Sequence, residues 1–229
     1  MIRTPRDAAG GGRFGGVILA GGRSSRMGRP KAWLKLGERT MLETVTAAVE
    51  EGLRAAAGDG DATAPALVVV AAPGQELPPL DAGVRRVEDE IEGEGPLRGM
   101  AAGLAALEGR ADAAFVSSCD VPLLRPAFVT RMLELLGEND IVVPRHADRH
   151  HPLAAVYRIG VLPVVRDLLA RGLKRPFFLF ERTKTRVVEA GDLADVDAQL
   201  ESLTNFNTPD EYAALAQRLA GHRRPGNRP

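Results

Sequence analysis

Val17-Ile18-Leu19-Ala20-Gly21-Gly22-Arg23-Ser24-Ser25-Arg26-Met27-Gly28-Arg29-Pro30-Lys31 is the segment from which the rest of the chain is best read. Four apolar residues end abruptly at a glycine pair, and small, polar and cationic residues follow. An apolar run of this length bounded by glycine reads as a buried strand. A glycine loop after such a strand lets backbone N–H groups approach a ligand, because no Cβ intervenes. Arg23, Arg26 and Lys31 add fixed positive charge. A polyphosphate is the natural ligand for that combination. An ordinary βα turn with solvated arginines would carry the same glycines.

Working outward, strand and helix signals alternate. Thr40 and Glu43 have capping-box spacing, and Met41, Leu42, Val45, Ala48 and Val49 recur at helical period. Leu67–Val70 reads as a second buried strand and 83–87 as a short third. Pro96 suits the first position of a helix whose inner face is Leu97, Met100, Ala101 and Leu104. Ala113–Val116 is a strand feeding Ser117-Ser118-Cys119-Asp120, followed by a helix that Pro126 starts and Gly137 ends. Strands are expected at 140–143, 153–157 and 185–189, with a helix around 161–170. Thr208-Pro209-Asp210-Glu211 opens a last helix with Tyr212, Leu215 and Leu219 on one stripe. Such alternation predicts a three-layer α/β fold with a mostly parallel sheet.

The chain of 229 residues is expected to form one domain over 15–220, with a disordered arm over 1–14 and a disordered tail over 221–229. Hydrophobic residues make up 45% and aromatics 4%, so the core must be built from Ala, Val and Leu. Lys plus Arg and Asp plus Glu number 30 each, which excludes the basic excess of a general nucleic-acid binder. Cys119 is the single cysteine, so no intrachain disulfide or cysteine-only metal site is possible. With no apolar leader and no span-length apolar run, a cytoplasmic protein without membrane partners is expected.

The glycine segment lacks Gly-Lys-Ser/Thr and the Gly-x-Gly-x-x-Gly spacing, so it is neither a Walker A loop nor a dinucleotide fingerprint. Its residues from Leu19 to Lys31 resemble the Leu-Ala-Gly-Gly-x-x-x-Arg-Met-Gly-x-x-Lys signature of nucleotidyltransferases that move an NMP group from an NTP. Within them the chain looks most like the molybdenum cofactor guanylyltransferases, from about Gly16 to Leu215. The resemblance implies a Rossmann-like three-layer sandwich of the nucleotide-diphospho-sugar-transferase type. It implies transfer of GMP from GTP to molybdopterin or Mo-molybdopterin, with release of pyrophosphate and Mg²⁺ as cofactor. Leu19, Ala20, Gly21 and Gly22 would lie against the nucleotide, and Lys31 and Arg26 would meet phosphate oxygens. Pterin-delivery or molybdoenzyme-maturation proteins are the implied partner class.

Other motifs fall in the family's order. Cys119-Asp120-Val121-Pro122 resembles its Cys-Asp-x-Pro element, whose aspartate binds the metal. An Asx-turn would also explain Asp120. Asp89, just past a short strand, matches an aspartate that contacts the nucleotide, and Gly95-Pro96-Leu97-Arg98-Gly99 would bring a helix N-terminus close. The run from His150 to Leu153 resembles a His-Pro-Leu element near the acceptor, which gives His151 a positioning role. Asn205-Phe206-Asn207-Thr208-Pro209 matches an Asn-x-Asn-Thr-Pro element, so Asn205 and Asn207 are acceptor-side candidates. The basic turns around Phe177–Phe180 either receive a pterin phosphate or are surface cations beside an aromatic cluster. Pro30 stands where family members often carry Asp, and proline there is usual in the related cytidylyltransferase. Ala71-Ala72-Pro73 stands where some guanylyltransferases use asparagine. Cytidylyl transfer, NMP transfer to a sugar phosphate, and a non-catalytic nucleotide-binding regulator are the alternatives.

Overall fold

The structure is a computed structural model that describes residues 12–21, 30–58, 64–89 and 95–222. Its strands are β1 (Phe14–Leu19), β2 (Lys35–Leu36), β3 (Arg39–Thr40), β4 (Ala66–Ala71), β5 (Val84–Glu88), β6 (Ala113–Ser118), β7 (Ile141–His146), β8 (Arg149–His150), β9 (Ala154–Arg158) and β10 (Thr185–Val188). The helices are α1 (Met41–Ala57), α2 (Pro96–Ala106), α3 (Pro126–Glu134), α4 (Leu162–Ala170), α5 (Phe177–Phe180), α6 (Ala194–Asp197) and α7 (Pro209–His222). Most of the expected arm and tail lie outside the described residues, although Phe14 belongs to β1 and α7 extends to His222. No described helix is long and apolar enough to cross a membrane.

The sheet runs β10-β7-β9-β6-β1-β4-β5, with β8 folded back on β7, while β2 and β3 form a separate hairpin. Pairs β4–β5, β1–β4, β1–β6 and β7–β10 are parallel. Only β9, among the strands of the main path, runs against its neighbours β6 and β7. The mostly parallel sheet is as expected from the alternation of elements.

Side chains on a strand point alternately to opposite faces, and here both faces are apolar. Ile18, Val69 and Phe115 face one layer with Leu42, Val45, Val49 and Leu53 of α1 and Phe128 and Met132 of α3. Val17, Val68, Val70 and Val116 face the other, with Leu97, Met100 and Leu104 of α2 and Val165 and Leu168 of α4. The helix starts follow local chemistry. Glu43 N–H donates to Thr40 Oγ1 at 3.2 Å, and Thr40 N–H donates to Glu43 at 2.6 Å. Proline occupies the first turn of α2, α3 and α4, where its missing N–H costs no intrahelical bond.

Helix α2 approaches the sheet through Gly103. A Cβ there would lie 2.3 Å from Val17 Cγ1 and 3.2 Å from Val70 Cγ2. Valine is stiff at χ1, so the helix itself would have to lift. Gly103→Ala gains about 1 kcal/mol of helix propensity but incurs an overpacking cost near the upper end of about 1–3 kcal/mol. A net destabilisation of about 2 kcal/mol is expected in urea unfolding. An unchanged midpoint would show that α2 has room to spare.

Candidate active site

The chain leaves β1 for β4 and β5 on one side, then returns to β6 on the other. Such a reversal opens a crevice at the carboxyl ends of the two strands that flank it. Here those ends carry Ala20-Gly21 and Ser118-Cys119-Asp120. A cleft of about 530 Å³ lies there, lined among others by Leu19, Gly21, Asp89, Gly95, Asp120 and Asn205.

Backbone bonds fix the start of the glycine loop. The N–H groups of Ala20 and Gly21 both donate to the Val70 carbonyl (2.8 and 3.2 Å), and Cys119 N–H donates to the Leu19 carbonyl (3.0 Å). Gln75, which the sequence reading missed, closes the remaining gap. Its Nε2 donates to the Ala20 carbonyl at 3.0 Å and its Oε1 accepts from Ala72 N–H at 2.9 Å. One side-chain amide therefore links the ends of β1 and β4. Gln75→Ala leaves both backbone groups without that partner, at a cost of about 1–3 kcal/mol shared between stability and site order. Titration calorimetry is expected to show Mg-GTP affinity falling about tenfold. An unchanged affinity would remove Gln75 from the site.

At the other wall, Lys31 and Asp120 form an ion pair of 2.7 Å with each side chain 15% exposed. The Lys31 ammonium also donates to the Phe206 carbonyl (2.5 Å) and to Asn207 Oδ1 (3.1 Å). These acceptors suit the three donors of an ammonium group, which radiate from one point. The Phe206 ring centroid lies 5.2 Å from Nζ, adding a cation–π contact. Asp120 Oδ1 accepts from Ser118 Oγ at 2.6 Å. Each Asp120 oxygen thus accepts from one side chain among the described residues, while a carboxylate offers about four lone-pair sites. It retains capacity for a cation. No group of three or more His, Cys, Asp or Glu able to hold a metal occurs among the described residues. A single carboxylate at a strand end suits a cation that takes most of its ligands from phosphate and water.

Asp89 is held by its backbone N–H, which donates to the Ala71 carbonyl at 2.8 Å. Gly99 of α2 lies beside its side chain, since a Cβ there would stand 3.6 Å from Asp89 Oδ2. Gly95 precedes α2 at φ 87°, a left-handed conformation that glycine adopts freely, and α2 presents its N-terminal end to the cleft. Of the remaining candidates, Asn205 lines the cleft and Asn207 reaches Lys31. His151 stands two residues before the cleft-lining Leu153, with its N–H donating to the Pro144 carbonyl at 2.9 Å. Burial, and then the nearby His146, hold the His151 imidazole below its ordinary pKa, which favours the neutral form. Gly22 and Arg26 lie outside the described residues. Cys119 is buried, and its thiol is pushed up to about 12 by desolvation and by Asp120, so it is no nucleophile at neutral pH.

The chain matches the model of the MobA-like NTP transferase domain over residues 16–186. A Mycobacterium avium protein named probable molybdenum cofactor guanylyltransferase is 35% identical over 214 residues, covering 91% of this chain and 98% of that protein. The molybdopterin-guanine dinucleotide biosynthesis protein A of Archaeoglobus fulgidus has a similar structure, with TM-score 0.66 at 21% identity over 90% of this chain and 98% of that one. A Mycobacterium tuberculosis protein solved as a manganese complex gives TM-score 0.58 at 19% identity, again over 90% and 98%. With the cleft at the β1–β6 reversal and the sequence match across most of its length, the chain belongs to the MobA-like NTP transferase family, the nucleotidyltransferases.

Proposed function

We propose that this nucleotidyltransferase moves GMP from GTP to molybdopterin or Mo-molybdopterin, forming the guanine dinucleotide cofactor and releasing pyrophosphate. The observation that carries the reading is the Lys31–Asp120 pair at the end of β6, beside a cleft lined by Leu19 and Gly21. The names of the M. avium and A. fulgidus relatives support guanine and this acceptor.

In this reading the nucleotide lies along Leu19, Ala20 and Gly21, with Gly22 and Arg26 continuing the loop. Asp89 contacts the nucleoside part from the α2 side, and the N-terminal end of α2 favours negative charge near Gly95. Asp120 holds Mg²⁺; the manganese complex of the M. tuberculosis neighbour supports a divalent ion. An ion held there would supply neutralisation of phosphate charge around the α-phosphorus. Lys31 bears on the oxygens of the leaving pyrophosphate. The acceptor phosphate is already ionised at neutral pH, so no protein base is assigned. Catalysis then rests on positioning and charge. Asn205, Asn207 and His151 stand on the acceptor side, with His151 neutral and able to accept or donate a hydrogen bond.

The test is pyrophosphate release with GTP, CTP, ATP and UTP in parallel, each with and without molybdopterin. Release with GTP and the pterin together is expected. Preference for CTP would make the chain a cytidylyltransferase, and silence with every nucleotide would remove the pterin reading.

A further inference from the structure

Glu211 does not line the cleft, yet it is tied to it. Its carboxylate accepts from the backbone N–H groups of Asn207 (2.6 Å) and Thr208 (3.2 Å). Glu211 N–H donates in return to Thr208 Oγ1 at 3.3 Å, completing a capping box at the start of α7. Asn207 is thereby pinned from behind while its side chain accepts from Lys31. Phe206, whose carbonyl also accepts from Lys31, is buried against Tyr212. The Tyr212 hydroxyl donates to the Lys35 carbonyl at 2.5 Å. The start of α7 therefore holds both ends of the Lys31–Lys35 segment.

We propose that Glu211 is a positioning residue for the transfer reaction: through Asn207 it sets where the Lys31 ammonium stands relative to Asp120. The proposal rests on the reading of Lys31 and Asp120 given above. The N–H of Asn207 is the main influence holding the Glu211 carboxyl below its ordinary pKa, with Thr208 and Lys31 adding to it. The carboxylate is thus the form that makes these bonds at neutral pH. A plain helix cap would act on α7 alone. A positioning residue must also act on Lys31, and the two roles separate by mutation. Thr208→Ala removes the acceptor for Glu211 N–H but leaves the bond from Asn207 N–H to Glu211. Glu211→Ala removes the carboxylate that accepts from the Asn207 and Thr208 N–H groups, but leaves the backbone N–H at 211 its acceptor in Thr208 Oγ1. Glu211→Gln keeps an acceptor at the same reach, as capping boxes allow.

The three variants are compared with the wild-type full chain by pyrophosphate release, by Mg-GTP affinity in titration calorimetry, and by thermal midpoint. Glu211→Ala is expected to lower kcat/KM for GTP about tenfold and to weaken Mg-GTP binding, as loss of a charge-assisted hydrogen bond predicts. Glu211→Gln is expected to recover to within about threefold of wild type, because a neutral acceptor makes a weaker bond. Thr208→Ala is expected to lower the midpoint as Glu211→Ala does, while staying within about twofold in kcat/KM. Equal activity losses in Thr208→Ala and Glu211→Ala overturn the proposal, as does a Glu211→Ala chain with wild-type kinetics and affinity, or a Gln variant no better than Ala. If the wild type binds Mg-GTP but releases no pyrophosphate with any nucleotide, the GMP-transfer reading fails, and the affinity series still tests Glu211. A wild type that binds no Mg-GTP overturns both.

Discussion

Asp120→Ala is expected to leave about a hundredth to a thousandth of wild-type turnover at saturating Mg²⁺, with the fold intact. The magnitude is that of removing one preorganised electrostatic contact from an active site. The fold should survive, because Asp120 belongs to neither apolar layer and, among the described residues, its carboxylate bonds to Ser118 and Lys31. The Lys31 ammonium then keeps the Phe206 carbonyl and Asn207. Asp120→Asn separates charge from shape: it retains an acceptor for Ser118 but lacks the anion, and should be nearly as slow as the alanine variant. Pyrophosphate release, alongside thermal unfolding to confirm folding, checks both. Near-normal turnover in either would remove Asp120 from the metal and nucleotide.

Lys31→Ala is expected to lower turnover about 10²–10³-fold by the same electrostatic argument. Two refinements make the prediction sharper. Lys31→Arg should recover little, because a planar fork with five donors does not fit three acceptors arranged around one point. The Lys31→Ala/Asp120→Ala double variant should be about as slow as the slower single variant, since residues acting as a unit are grossly non-additive. Fully additive losses in single-turnover assays would mean that the 2.7 Å pair seen here is not a functional unit.

The buried strands were legible because an apolar run bounded by glycine has few other readings. Val17, Leu67 and Ala113 each lie within the strand assigned from sequence. The capping box at Thr40 and the proline starts at Pro96, Pro126 and Pro209 were equally plain, since each uses a side chain at a fixed offset. The reversal of β9 was not legible: its residues are apolar on both faces like those of its parallel neighbours, and direction leaves no mark on composition. The β7–β8 hairpin was hidden because its two-residue turn is Ala147-Asp148, at φ 48° and 58°, where glycine or asparagine is the usual signal.

Around the cleft, the side chains singled out from sequence are those whose type is chemically loud, namely Asp89 and Asp120 in its lining and Lys31 paired with Asp120. Gln75 and Ser118 were not, because an amide or hydroxyl gains meaning only from partners such as Ala20, 55 positions from Gln75 in the chain. Asp197 shows the same limit in a structural role. It is buried, and its carboxylate accepts from the N–H groups of Glu201 (3.0 Å) and Ser202 (2.8 Å), a turn that no spacing rule announced.

The reversed strand β9 brings the later part of the sheet to the cleft from the opposite direction. Because it runs against β6, its entry residues emerge at the same edge as the exits of β1 and β6, so Leu153 joins a cleft whose other wall is built by β1, β4 and α2. Substitutions or insertions between β7 and β9 would reshape the wall that carries Leu153 without touching the strand ends of β1, β4 and β6, provided that the 205–212 segment holding Lys31 and Lys35 is kept. The fold in that sense sets a fixed edge against a replaceable one, and the seam lies between β6 and β9.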